Sequence, residues 1–159
     1  MSKNRSKQPD FVGIASFGFF LLLVGAIFVV TPNLLDRISD FVSDFELQEV
    51  TSQWKLPAPV HVMNHVVLYN AIFQFCLVFA LFQVAVLGVR FILRDSIDKI
   101  AGTVSSVVFW FGASWILNLL ISEEISRWFV FVGWLIMFVG VSLIVKSAIT
   151  LTGGLLPKK

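Results

Sequence analysis

VVLYNAIFQFCLVFALFQVAVLGV, residues 66–89, runs for 24 positions without a charged side chain. In a helix rising 1.5 Å per residue, about 20 apolar residues cover the hydrocarbon core of a bilayer. Residues 11–30, 103–121 and 128–149 form three further runs of this kind, interrupted only by Lys146. Together they predict an all-α fold, an integral membrane four-helix bundle that makes one domain of residues 1–159. Composition agrees: a chain that is 57% hydrophobic and 14% charged has too little polar surface to cover a soluble fold. The net charge of +2 gives no basis for a nucleic-acid partner. The expected partners are the lipid bilayer and either another membrane protein or further copies of the chain.

The basic residues are distributed unevenly around these runs. Lys3, Arg5, Lys7, Arg90, Arg94, Lys99, Lys146, Lys158 and Lys159 fall on one side, and Arg37, Lys55 and Arg127 on the other. Nine against three places both termini in the cytoplasm of a multi-pass protein of the cell membrane. The first run is longer than the apolar part of a signal peptide and no A-x-A-like site follows it, so it is expected to remain as the first span. Residues 90–102 form the expected cytoplasmic hairpin. Asp95 and Lys99, and Arg94 and Asp98, are four apart, which extends the second helix past the membrane. Ala101-Gly102 ends it and Thr103 caps the third. Ser122 is the expected cap of the fourth helix, with Glu123 and Glu124 in its first turn.

Thr31-Pro32-Asn33 stops the first span. Leu34, Leu35, Ile38, Phe41, Val42 and Phe45 then recur at helical spacing, with Asp36, Arg37, Ser39, Asp40, Ser43, Asp44 and Glu46 on the opposite face. Residues 33–47 therefore predict an outer amphipathic helix along the membrane, N-capped by Asn33. Its acidic face serves either to attract cations or a basic partner, or simply to stay hydrated. Residues 50–60, with Leu56-Pro57-Ala58-Pro59, read as an extended or polyproline-like lead into the second span. His61 and His65 have the i, i+4 spacing of paired metal ligands on a helix. A metal site built on them needs another ligand from Asp40, Asp44, Glu46, Glu49, Glu123, Glu124 or a second subunit; otherwise they are interface histidines that bind nothing.

Along the second helix, which continues past the span, Tyr69, Cys76, Gln83 and Arg90 follow one another seven residues apart, with Asn70 and Gln74 on a second face. The third carries Ser106, Trp110, Ser114 and Asn118 every four residues. Gly18 and Gly25 in the first span, and Gly133, Gly140 and Ser147 in the fourth, predict a seam of close helix approach. The polar side chains are either hydrogen-bonding partners between helices or the lining of a polar path. The second span, the most polar, is the expected functional or assembly face. Cys76 has no second cysteine to pair with and reads as a packing residue.

The spans hold no carboxylate for proton-coupled export and no histidine pair for haem. The chain has no cysteine pair, phosphate loop, HExxH or G-x-S-x-G. No cofactor is expected. These features point to a non-enzymatic accessory or scaffold subunit of a membrane complex or homo-oligomer. One alternative is an oligomeric channel or transporter with Tyr69, Asn70, Gln74, Gln83 and Asn118 along its path. A second is a metal-binding or redox-associated subunit using His61 and His65.

Residues 16–33 (SFGFFLLLVGAIFVVTPN), Pro57-Ala58-Pro59, residues 74–83 (QFCLVFALFQ) and residues 109–118 (FWFGASWILN) resemble uncharacterised four-span membrane proteins of archaea. The resemblance covers nearly the whole chain through apolar motifs. It implies a prokaryotic-type cell membrane and brings no activity or site residues.

Overall fold

The computed structural model describes residues 10–51, 53–123 and 127–155; Lys3, Arg5, Lys7, Glu124, Lys158 and Lys159 lie outside them. In chain order the elements are α1 (Phe11–Val30), α2 (Leu34–Ser43), β1 (Phe45–Thr51), β2 (Trp54–Pro59), a 3-10 turn (Val62–His65), α3 (Val66–Ile92), α4 (Ile97–Ile121) and α5 (Trp128–Leu155). Four of them, α1, α3, α4 and α5, are long and apolar enough to cross a membrane. Large apolar side chains such as Phe17, Leu22, Val29, Leu81, Ile136 and Ile144 stand exposed along these helices. Surfaces of that kind suit lipid and not water.

The fold is helical as expected, with one addition, an antiparallel hairpin of β1 and β2 registered from Phe45 opposite Pro59 to Thr51 opposite Trp54. The amphipathic helix accordingly ends at Ser43 instead of continuing to residue 47. From Phe45 the apolar residues alternate with polar ones, Phe45 and Leu47 against Glu46 and Gln48, which is strand periodicity. Glu49 and Lys55 face each other across the hairpin and pair at 3.0 Å. Pro57 and Pro59 lack an N–H, which an edge strand tolerates. Asn33 sits at the N-cap position of α2, but in a left-handed conformation with no side-chain capping bond.

The turn between α3 and α4 is tighter than the sequence suggests. Helix α3 stops at Ile92 and α4 starts at Ile97, running unbroken through Ala101-Gly102 and Thr103. Arg94 is left-handed (φ 52°). Its N–H donates to the Phe91 carbonyl, and that of Asp95 to the Arg90 carbonyl at 3.0 Å, the paired bonds of a Schellman cap. A side chain in that conformation costs about 1–2 kcal/mol relative to glycine. Arg94→Gly is therefore expected to raise the thermal midpoint in detergent by a few degrees; an unchanged or lower midpoint counts against this reading of the turn. Ser122 caps the C-terminus of α4, its hydroxyl donating to the Asn118 carbonyl at 2.8 Å. It does not start α5, which begins at Trp128.

The four long helices alternate in direction, so Asp10, the α3–α4 turn and Gly153 share one end of the molecule. Helix α4 packs between α3 and α5, while α1 leans on α3. Phe19 stacks on Phe82 with ring centroids 3.8 Å apart, and Phe20 meets Phe75 and Phe79 edge-on. The bundle is open: α1 and α5 have no comparable packing on each other, and α1 contains a single buried residue, Leu23.

Close helix approach occurs at glycines other than those expected. A Cβ on Gly112 would fall on the Phe138 ring, and one on Gly153 would meet Ile97. These positions, together with Ala101, Ala113 and the buried Ser105, let α4 and α5 draw together. Ser105 donates to the Ser142 carbonyl across the interface at 2.7 Å. Gly18, Gly25, Gly133 and Gly140 have no atom within 4 Å of where a Cβ would stand. Within one chain no neighbouring helix reaches these four positions.

Candidate functional site

The most densely bonded polar group lies where the hairpin closes onto the start of α3. The segment that leaves α2 turns at Asp44, whose own amide closes the helix by donating to the Asp40 carbonyl. The Asp44 carbonyl accepts from Val60 at 3.0 Å. Its carboxylate accepts the His61 amide at 2.8 Å, His61 Nδ1 at 2.9 Å and His65 Nε2 at 3.0 Å. An ionised carboxylate only accepts, so His61 donates from Nδ1 and His65 from Nε2. The bonds from His61, side chain first and then backbone, pull Asp44 below the usual carboxylate range to about 2, with His65 contributing further. His65 is buried and His61 is exposed.

This arrangement places both histidines on one carboxylate from the candidate set, by a route different from the helical pairing expected of them. His61 is not helical (φ −115°, ψ 66°); the hairpin brings it to Asp44 from one side, and the 3-10 turn brings His65 from the other. The three side chains are in direct hydrogen-bond contact, with ring protons directed at the carboxylate. Among the described residues no group of three or more His, Cys, Asp or Glu is arranged to hold a metal ion.

Beneath the hub lies an aromatic cluster centred on Phe41, which meets Phe45, His65, Tyr69 and Trp128 edge-on with centroids 5.1–6.0 Å apart. Phe41 belongs to the apolar face of α2, so this contact seats α2 on the spans. Tyr69 and Cys76 continue downward into the main core with Ala113, Ile116, Leu117, Leu120 and Phe131. The buried Tyr69 hydroxyl has no hydrogen-bond partner among the described residues.

The other polar side chains singled out from the sequence do not converge. Asn70 donates to its own helix at the Val66 carbonyl, and Ser114 to the Phe111 carbonyl. Tyr69 and Gln83 are buried within one chain, while Gln74 and Asn118 stand on its surface.

A second charged group, unremarked in the sequence beyond the Asp95–Lys99 spacing, closes the opposite end. Buried Arg90 pairs with Asp95 at 3.1 Å and Asp10 at 3.6 Å, and Lys99 reaches Asp10 at 3.5 Å and Asp95 at 3.7 Å. Asp10 N-caps α1 by accepting from Gly13. That bond, helped by Arg90 and Lys99, holds its carboxyl below the ordinary range. Two positive and two negative side chains thus tie α1, α3 and α4 together. The only sequence signal was spacing within a few residues of Arg90; Asp10 lies too far along the chain to have suggested itself.

The class defined by these features is a small multi-pass helical membrane protein with a folded cap at one end. No protein-family model, curated protein or solved structure matches the chain.

Proposed function

We propose that this protein is a non-enzymatic assembly subunit of the cell membrane. It associates through its spans with copies of itself or with another membrane protein, and both its termini are cytoplasmic. The observation that carries this reading is Gln74. Its amide is exposed on α3, eight residues or about 12 Å below the start of the helix, with no hydrogen-bond partner among the described residues. An amide facing lipid at that depth is costly, and a neighbouring helix relieves it. The open edges of the bundle favour the same reading. Gly18 and Gly25 on α1, and Gly133 and Gly140 on α5, contribute little to lipid contact but admit a second backbone closely.

Gln74→Leu tests the idea, because leucine suits lipid and leaves the chain's own packing untouched. In mild detergent the wild-type protein is expected to run as a defined species larger than one chain, and Gln74→Leu to weaken that association about three- to tenfold. A wild-type protein that is monomeric at all concentrations, without a co-purifying chain, overturns the proposal. Cys76 is a poor crosslinking site because it is buried; a cysteine at Gly25 in a Cys76→Ser background is the better reporter.

A further inference from the structure

Two clefts on either side of α2 meet along one strip of α3. The first, about 430 Å³, is lined by Arg37, Asp40, Ser43, Asp44, Asn64, His65 and Leu68. The second, about 540 Å³, is walled by apolar side chains only, among them Val24 and Ile27 of α1, Ile38 and Val42 of α2, and Ile72 and Phe75 of α3. Leu68 lines both. His65, Leu68, Ile72 and Phe75 succeed one another at three- and four-residue steps, so one face of α3 leads from the polar cleft into the apolar groove.

We infer that this composite groove binds one phospholipid with a phosphate-and-ammonium headgroup from the leaflet next to α2. The phosphate lies at Arg37, the ammonium at Asp40, and an acyl chain runs down toward Phe75. Neither Arg37 nor Asp40 has an ion-pair partner among the described residues. Asp44, in contrast, is already taken up by the two histidines. One free cation and one free anion, a helical turn apart, complement a zwitterion and disfavour a purely anionic head. The groove is walled wholly by apolar side chains and continues directly from the charged cleft through Leu68, the sequence of surfaces that a headgroup followed by an acyl chain presents. Hydrocarbon chains fit, and a soluble phosphate would leave the apolar half unfilled. The inference rests on the helices lying in a bilayer and not on self-association.

Native mass spectrometry of the detergent-purified full chain, titrated with phosphatidylethanolamine and with phosphatidylglycerol, tests it. One phosphatidylethanolamine per chain is expected, held about fivefold more tightly than phosphatidylglycerol. Arg37→Gln with Asp40→Asn removes that preference while retaining lipid. Ile72→Trp, which fills the groove from a partly exposed position, loses both lipids. Equal retention of the two lipids by the wild type, no retention of either, or full retention by Ile72→Trp overturns the inference. Gln74→Leu separates it from the assembly reading: the monomer keeps its lipid if the groove lies within one chain, and lipid lost along with the oligomer counts against it.

Discussion

Replacing Gly112 by alanine is expected to destabilise the protein by about 1–3 kcal/mol, the usual penalty for overfilling a packed interface. The added Cβ falls on the ring of Phe138, which is half-buried between α4 and α5 beside Trp115 and Trp134. The ring has to swing away, and the α4–α5 contact loosens with it. Unfolding in mild detergent reads the loss as a lower midpoint. Phe138→Leu should also destabilise the protein when made alone, by leaving space above Gly112. The double variant Gly112→Ala, Phe138→Leu should lose less than the two single losses added, since each change offsets the other. Strict additivity, or a neutral Gly112→Ala, would remove Gly112 as the point of closest approach. Gly25→Ala is the control: nothing stands within 4 Å of its Cβ position, so the monomer should be unaffected or slightly stabilised.

The second large effect belongs to Asp44. Its carboxyl is drawn down to about 2 by hydrogen bonds that exist only in the folded cap. A depressed folded-state value means that the group contributes stability above its unfolded value, near 4, and that this contribution is lost as pH falls toward about 2. Hydrogen exchange at the amides of His61 and Val60 is the direct readout, because one donates to the Asp44 carboxylate and the other to its carbonyl. Protection is expected to hold down to about pH 4 and then to fail across the next two units. Asp44→Asn should expose both amides already at neutral pH and abolish this acid dependence. The amide replacement keeps the shape, but it turns one acceptor into a donor facing a histidine N–H. Asp40→Asn, on the same helix face and without an ion-pair partner among the described residues, should leave the profile unchanged. Loss of protection at the same pH in Asp44→Asn and the wild type would show that another group governs the cap.

The spans were legible because each depends on a single property, about 20 apolar residues in a row. The contacts between spans were harder to read. Seven-residue spacing locates Gly18 and Gly25 on one stripe of α1, yet periodicity alone does not say which way a stripe faces. The Phe19, Phe20 and Leu23 side chains turn the other side of the helix toward α3. Gly112 and Ser105 were missed because neither belongs to an obvious repeat. The hairpin was hidden by Pro57 and Pro59, which resemble a polyproline segment until Glu49 and Lys55 are set opposite each other. For the candidate site, the histidines were recognised and Asp44 stood among six possible carboxylates. What joins them is the strand pairing that returns the chain to its starting point, and no local spacing encodes that. Arg94 shows a related limit: its charge suggested a helical pair with Asp98, whereas the backbone needed a left-handed residue at that point.

The cap and the Arg90 cluster hold α3 at both ends. That helix has 27 residues, about 40 Å of length against a hydrocarbon core of ~30 Å. Left to itself, such a helix has several residues of freedom to slide along the membrane normal when bilayer thickness changes. Here His65, at its head, is fastened to Asp44 on the helix-and-hairpin segment, and Arg90, near its foot, is fastened to Asp10 and Asp95. Sliding would break one attachment or the other. The accessible response to a thinner or thicker membrane is therefore tilt of α3 together with its neighbours. A change in the inclination of α3 therefore carries the cap at one end and the start of α1 at the other along with it.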